Sequence, residues 1–434
     1  MKKTVLICML SVVMLIRSTL FAVSGESNPL LIKENELFSQ AAVLMDASTG
    51  RVLYGKNAEY ILPMASTTKI MTCIVALEES ELDEIVTTSS YATTQPKVKL
   101  YAGKGESFCL KDLLYSLMLE SHNDTAVMIA EHIGAKRLGL PNSREDVVSR
   151  STAQSKEAVE TFIDLMNQKA RSLQCFQTYF VTPNGLDGTV SCVDETGERI
   201  ERIHSTTATD LAKMMSYCIL FSPMKDAFLD ITGTYQYSFQ NIDKTKTYSC
   251  QNHNAFLNMM DGAMSGKTGY TGNAGYCYVG ALVRDDRYYV VSLLNSGAYG
   301  NKTRKWSDTK KLMQYGITHF HNKTIYEGKT KTNAVEVHNA KPNVNDYYGR
   351  VMVDTIVPDD KELKMLIADW EHVEVNIMQE KSLNAPVREN QIVGGVEVTL
   401  NGAVLAHFPI VIEDEKDEKR FIDTLKYIVY LYII

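Results

Sequence analysis

The spacing of hydrophobic residues changes several times along the chain, and each change predicts an element. AAVLMDASTGRVLYGKNA, residues 41–58, reads as two strands around a turn at Gly50, and it runs directly into PMASTTKIMT, which has the look of a helix start. Residues 110–133 and 157–173 carry apolar side chains at helical spacing. The pattern then returns to strands, because AGYCYVGALV, the turn RDDR and YYVVSLLNS read as an antiparallel hairpin. Strands from both ends of one region with helices between them predict an α+β domain over residues 38–322, built on an antiparallel sheet. After the helix-like DTKKLMQYGITHF come short runs such as VEVNIM, GGVEVTL and GAVLAHFPIVI, separated by Asn, Gly and Pro. They predict a small all-β domain over residues 329–412.

Residues 413–434 hold a mixed-charge run, EDEKDEKR, and then FIDTLKYIVYLYII. The first is a solvated linker or a helix start. In the second, Phe421, Ile422, Leu425, Ile428, Val429 and Tyr432 form an apolar stripe opposite Asp423, Thr424 and Lys426. A helix of about 14 residues rises about 21 Å, short of the roughly 30 Å hydrocarbon core, so the segment does not span a bilayer. It lies in a membrane interface or docks on the β domain.

At the other end, Lys2 and Lys3 precede an apolar run interrupted by Arg17, with small residues at Ala22 and Ser24. Residues 1–24 therefore read as a secretory signal cleaved after Ser24, and the protein is expected outside the cytoplasm. A length of 434 residues suggests two folded units, and a net charge of -7 without a long Lys/Arg run argues against nucleic acid as a partner. Cys8 leaves with the signal, and the seven remaining cysteines are scattered without C-x-x-C. No disulfide framework and no metal are indicated, although Cys175 and Cys192 could pair. The pair His319 and His321 reads as surface or core.

Chemistry enters with Ser66 and Lys69, which stack on one helix face with hydroxyl and amine on neighbouring turns, the geometry a serine nucleophile needs from its base. Taken alone the pattern reads more readily as a helix cap beside a surface charge. Two later stretches change that balance: LESHNDTA sets Ser121 and Asn123 two apart in a polar break, and SGKTGYTGNAGYC carries Lys267, Thr268 and Gly269. S-x-x-K, S-x-N and K-T-G in that order form the motif set of penicillin-binding proteins and class A β-lactamases.

PMASTTKIMT, LESHNDTAVMIAEHI, FVTPNGLDG, HSTTATDLA and GKTGYTGNAGYC together resemble consecutive landmarks of the D-alanyl-D-alanine carboxypeptidases, from about residue 40 to 321. LNAPVRENQIVGGVEVTLNG is similar to that family's carboxy-terminal β domain. The resemblance implies a DD-peptidase/β-lactamase-like fold and a serine hydrolase that removes the terminal D-alanine of peptidoglycan stem pentapeptides. It also implies β-lactams as covalent inhibitors, no cofactor, and action at the extracytoplasmic membrane face or cell wall, with the tail as a membrane anchor. Ser66 is then the acylated residue, and Lys69, made neutral by burial and by the Lys267 cation, is its base. Ser121 relays a proton to the leaving amine, while Asn123 holds the substrate amide or orients Lys69. Lys267 and Thr268 bind the terminal carboxylate, Gly269 lets the substrate backbone lie against the strand edge, and the backbone N–H groups of Ser66 and Tyr270 form the oxyanion hole. Arg304 assists the carboxylate, with Lys305 aligning almost as well. His122 has no catalytic part, and His204 and Asp210 are structural.

The chain departs from the pattern in places. LPNSREDVVSRSTAQ and SCVDETGERIER look like polar loop insertions, and Asn273 stands where the family often has an acid. A β-lactamase needs an E-x-x-L-N glutamate between S-x-N and K-T-G, but EKSLN, residues 380–384, lies after K-T-G. A non-catalytic wall-binding scaffold is the other class of reading, opposed by seven intact motif positions from Ser66 to Gly269. Transpeptidation stays open.

Overall fold

The computed structural model describes residues 32–433 apart from 194–196, 329, 344–345 and 359–361. The predicted signal, residues 1–24, lies outside them. The chain divides into two compact units between His319 and Phe320.

The first unit is built on a five-stranded antiparallel sheet in the order Arg51–Lys56, Ala41–Asp46, Arg287–Leu294, Gly275–Arg284, Ala263–Thr271. Ala41–Asp46 is buried along its whole length, because helices cover both faces. Gly316 of the helix Arg304–His319 lies against Leu44 and Tyr289 on one face. On the other, Ser216 at the end of the helix Ala208–Ser216 reaches Met45 Sδ at 3.7 Å. The helix Lys69–Glu79 is buried without a break from Lys69 to Leu77, so it is a core helix rather than an amphipathic surface one.

The stretches read as polar loop insertions carry secondary structure among their described residues. Residues around 143–155 form the short helix Arg144–Ser149 and the start of Thr152–Ser172, each opened by a capping box, Ser143 with Asp146 and Ser151 with Gln154. Those S-x-x-D and S-x-x-Q spacings are helix-start signals in an otherwise polar stretch. Thr189–Val193 and Arg199–Ile203 pair as an antiparallel hairpin. Cys175 and Cys192 are free thiols.

The second unit begins at Phe320, earlier than the composition change near residue 329. Phe320–Tyr326 pairs with Leu363–Ala368, and its Phe320, Ile325 and Tyr326 are buried. A five-stranded sheet follows, Thr330–Lys331, Thr355–Val357, Ala403–Ile412, Ile392–Leu400, Val373–Gln379, around a core that includes Val396, Val398, Phe408 and Ile410. Ser382–Asn384, the end of EKSLN, pairs in parallel with Val335–His338. The charged run carries isolated bridges at Lys416 and Glu418, and Phe421–Ile433 is a helix with no buried residue. Its polar side is tied to its own unit: the Tyr427 ring stacks on Tyr347 at 4.2 Å, and the Tyr347 hydroxyl donates to Thr424 Oγ1 at 2.5 Å. Its apolar stripe stays exposed.

Candidate active site

The chain enters the core helix through a tight turn, Ala65–Thr68, in which Ala65 is left-handed at φ 48°. A non-glycine residue in that region is uncommon and is held by its surroundings. Two glycines hold it here. A Cβ at Gly269 would stand 2.9 Å from Ser66 N and 3.0 Å from Ala65 Cβ. A Cβ at Gly185, itself at φ 85°, would stand 2.1 Å from Ala65 O and 2.9 Å from Ser66 Cα. The space that Gly269 leaves is filled by the Ser66 turn, which lets the edge strand Ala263–Thr271 close on that turn.

Lys69 Nζ lies 2.9 Å from Ser66 Oγ, 2.9 Å from Asn123 Oδ1 and 2.6 Å from the main-chain oxygen of Asn184. Asn123 opens the helix Asn123–Leu138, but the N-cap is His122, and the Asn123 side chain serves the site. Its Nδ2 donates to Lys97 O at 3.0 Å and Pro96 O at 3.3 Å, which turns Oδ1 toward the amine. Neighbouring Asp124 accepts from the N–H groups of Leu100 and Tyr101 and so straps the 96–101 segment to the same helix start.

Ser121 sits between a π-helical turn, Ser116–Glu120, and that helix, at φ 67°. Both features are frequent at functional sites. Its Oγ is buried and has no hydrogen-bond partner among the described residues, so it stands outside the Ser66–Lys69–Asn123 cluster. Lys267 is buried and donates to Thr268 O at 3.0 Å. Thr268 is half-buried, and Tyr270 is exposed with its ring 4.5 Å from that of Tyr276. Arg304 stacks over Phe38 at 4.9 Å and forms no ion pair among the described residues. Lys305 is engaged elsewhere, with Nζ 2.7 Å from Lys302 O and over the Tyr276 and Trp306 rings.

Burial holds the Lys69 amine well below the ordinary lysine range, and the Lys267 charge pushes the same way while Asp124 opposes it. Burial also brings Lys267 down to about 7. His122, buried and facing Lys69, His253 and Lys267, is lowered to about 4, and its Nδ1 is 2.8 Å from Ser116 Oγ. Burial thus holds three basic groups of the site toward their neutral forms. His204 braces the turn from behind: Nδ1 accepts from Val181 N–H at 3.0 Å, and Nε2 is 2.8 Å from Thr68 Oγ1. Asp210 accepts from Gln177 N–H and the Thr178 hydroxyl, 3.1 and 2.9 Å away.

A family model described as D-alanyl-D-alanine carboxypeptidase matches residues 28–138 and 153–297. The chain belongs to that family. A second model, the penicillin-binding protein 5 C-terminal domain, matches residues 308–418. D-alanyl-D-alanine carboxypeptidase DacF of Bacillus subtilis is 25% identical over 89% of this chain and 88% of its own length. The crystal structure of DacD from Francisella tularensis shares the fold with a TM-score of 0.65 at 22% identity, covering 91% of this chain and 99% of that one. The Streptomyces K15 DD-transpeptidase structure reaches 0.53 at 28% identity over 66% and 99%.

The protein is therefore a serine-type D-Ala-D-Ala carboxypeptidase with an α+β catalytic unit and a β-rich second unit, acting on peptidoglycan. In this carboxypeptidase the motif reading located Ser66, Lys69 and Asn123 as contacting partners. It missed Asn184 as a partner, although FVTPNGLDG carries a Pro-Asn-Gly turn signal.

Proposed function

We propose that Ser66 is acylated by the penultimate D-alanine of a stem peptide. The observation that carries this is a buried lysine amine 2.9 Å from Ser66 Oγ with its pKa well below the ordinary range. Lys69 Nζ takes the hydroxyl proton as Oγ attacks the carbonyl carbon, and the backbone N–H groups of Ser66 and Tyr270 face the oxyanion. The C–N bond breaks, and the terminal D-alanine leaves with a proton that the unpartnered Ser121 hydroxyl relays from Lys69. Water then hydrolyses the ester through the same amine. Catalytic contacts that are open in a free enzyme tighten once substrate is bound, which suits Ser121. Lys267 and Thr268 take the substrate carboxylate, and Arg304 supplies a second positive charge.

Labelling the purified protein with a fluorescent penicillin and locating the adduct by mass spectrometry tests this reading. An adduct on a serine other than Ser66 would end it. A β-lactamase reading is disfavoured because EKSLN belongs to the second unit, where its last three residues form a strand. An inactive scaffold is disfavoured by the Ser66–Lys69–Asn123 contacts. The relative whose solved structure is titled a DD-transpeptidase supports amine acceptors as a second use of the acyl-enzyme.

The same reading places the mature chain outside the cytoplasm, with residues 1–24 as its export signal and the three segments 38–322, 329–412 and 413–434 as catalytic domain, β domain and tail. No helix among the described residues is long and apolar enough to cross a membrane. The exposed stripe of Phe421–Ile433 fits a membrane interface. If the mature protein stays in the supernatant when sedimented with anionic liposomes, the anchor is wrong.

A further inference from the structure

Lys69 Nζ has three polar neighbours, and their chemistry fixes which way its protons point. An ammonium has three donors, whereas the neutral amine that a base requires has two donors and one lone pair. Asn184 O is a main-chain carbonyl and only accepts. Asn123 presents Oδ1, because its Nδ2 donates to Lys97 O and Pro96 O, and turning the amide over would set donor against donor at the amine and oxygen against two carbonyls. Two acceptors therefore consume both protons of the neutral amine. The lone pair has one place left, the Ser66 hydroxyl. In the charged form the third proton points at Ser66 Oγ instead, and the hydroxyl turns to Asn184 O, 3.4 Å away.

We propose that the main-chain carbonyl of Asn184 is a positioning group that, with Asn123 Oδ1, takes both protons of neutral Lys69 and aims its lone pair at Ser66 Oγ. The inference rests on the reading of Ser66 as nucleophile and Lys69 as base. The carbonyl is built in from several sides. Gly185, left-handed and without room for a Cβ, turns the chain beside Ala65 and Ser66. The Asn184 side chain accepts from Leu186 N–H at 3.0 Å through Oδ1 and donates to Gln95 Oε1 at 3.3 Å through Nδ2. One residue earlier, Pro183 O accepts from the Thr72 hydroxyl at 2.6 Å. Thr72 stands three residues after Lys69 on the same buried helix, so one helix grips two successive carbonyls of this segment, through Thr72 and through Lys69.

The test measures the acylation rate constant with a fluorescent penicillin across pH for the full chain and for Thr72→Val, Thr72→Ser and Asn184→Ala. The labelling endpoint counts competent sites, so the rate is read per folded molecule. Thr72→Val nearly conserves volume but frees Pro183 O, and Asn184→Ala removes the side-chain tethers. Each should slow acylation at the pH plateau by about 10- to 100-fold, the scale of a misaimed reacting group. Each should also move the acid limb to lower pH, because the ammonium loses an acceptor that favoured it. Thr72→Ser should restore rate and limb. Wild-type rates in both Thr72→Val and Asn184→Ala, slowed rates with an unmoved acid limb, or a Thr72→Ser as slow as Thr72→Val would each overturn the proposal. Wild-type protein that labels elsewhere than Ser66 would instead overturn the reading beneath it.

Discussion

The two units treat charge and apolar surface in opposite ways. The catalytic unit buries Lys69, Lys267 and an Arg150–Glu131 ion pair 3.1 Å apart, with the Ser89 and Ser155 hydroxyls also on Glu131. The second unit buries no charged side chain among its described residues, only Thr355 and Thr399 among polar ones, yet exposes Phe421, Ile422, Leu425, Ile428 and Val429 on one helix. A charge stays buried only where a large, over-determined core gives it partners. The apolar surface exposed on one helix is what the proposed membrane contact would cover. The contrast teaches that packing in the first unit holds charges away from water, while the second unit leaves one apolar helix face uncovered.

The largest expected effect breaks the first half of that contrast. Ser66→Ala should reduce covalent penicillin labelling to background while leaving the thermal transition in place, and residual labelling at the wild-type rate would refute the assignment. Lys69→Arg keeps a charge that does not deprotonate near neutral pH, so acylation should fall about 10²- to 10⁴-fold. Lys267→Arg should be milder, raising KM for a carboxylate-bearing peptide about tenfold with measurable turnover, the scale of one weakened charged hydrogen bond. Equal losses in both arginine variants would erase the distinction between base and anchor.

The pH dependence sharpens the same point. Lys267 is near 7 in the free enzyme, so kcat/KM for a peptide with a terminal carboxylate should fall as pH rises through about 7, and Lys267→Arg should remove that alkaline limb. Linkage has a definite sign here. The unfolded lysine keeps its proton up to about 10.5, the folded one releases it near 7, and the folded state therefore binds fewer protons between them. Stability from this group rises with pH across that window, which a series of urea titrations would read.

Smaller effects on turnover are expected from the second unit. Ile410→Ala removes buried apolar volume and should destabilise that unit by about 2–5 kcal/mol, seen as a lowered transition in calorimetry, with kcat on a soluble peptide unchanged. Deleting residues 421–434 should abolish sedimentation with anionic liposomes and leave both kcat and the main transition as they were. A change in kcat from the deletion would mean that the helix serves the chemistry rather than the location.

Much of this was legible in the chain. The ordered S-x-x-K, S-x-N and K-T-G motifs marked Ser66, Lys69 and Asn123, and a three-residue spacing sets the serine beside the lysine where a tight turn leads into a helix. The hairpin leading from K-T-G and the short alternating runs of the second unit also followed from period alone. The polar stretches near residues 143 and 191 were harder, since capping boxes and a two-sided polar hairpin lack the apolar period that marks an element. Tail packing was divided: helical spacing predicted the stripe, but the Tyr347–Tyr427 stack joins residues far apart in sequence.

By itself, then, the order of residues determined the reaction class, the spacing that sets Ser66 beside Lys69, the α+β and β-rich divisions and the apolar stripe of the tail. Each depends on side-chain type at short spacing. Only the tertiary structure decided that Gly269 and Gly185 pinch the Ser66 turn, that Ser121 stands outside the hydrogen-bonded cluster, and that Asn184 O is the third partner of Lys69. For the two glycines and Asn184 the physical reason is backbone approach across more than a hundred residues. A carbonyl is the same group at every position, and what it accepts depends on the distant atom that the fold brings within reach.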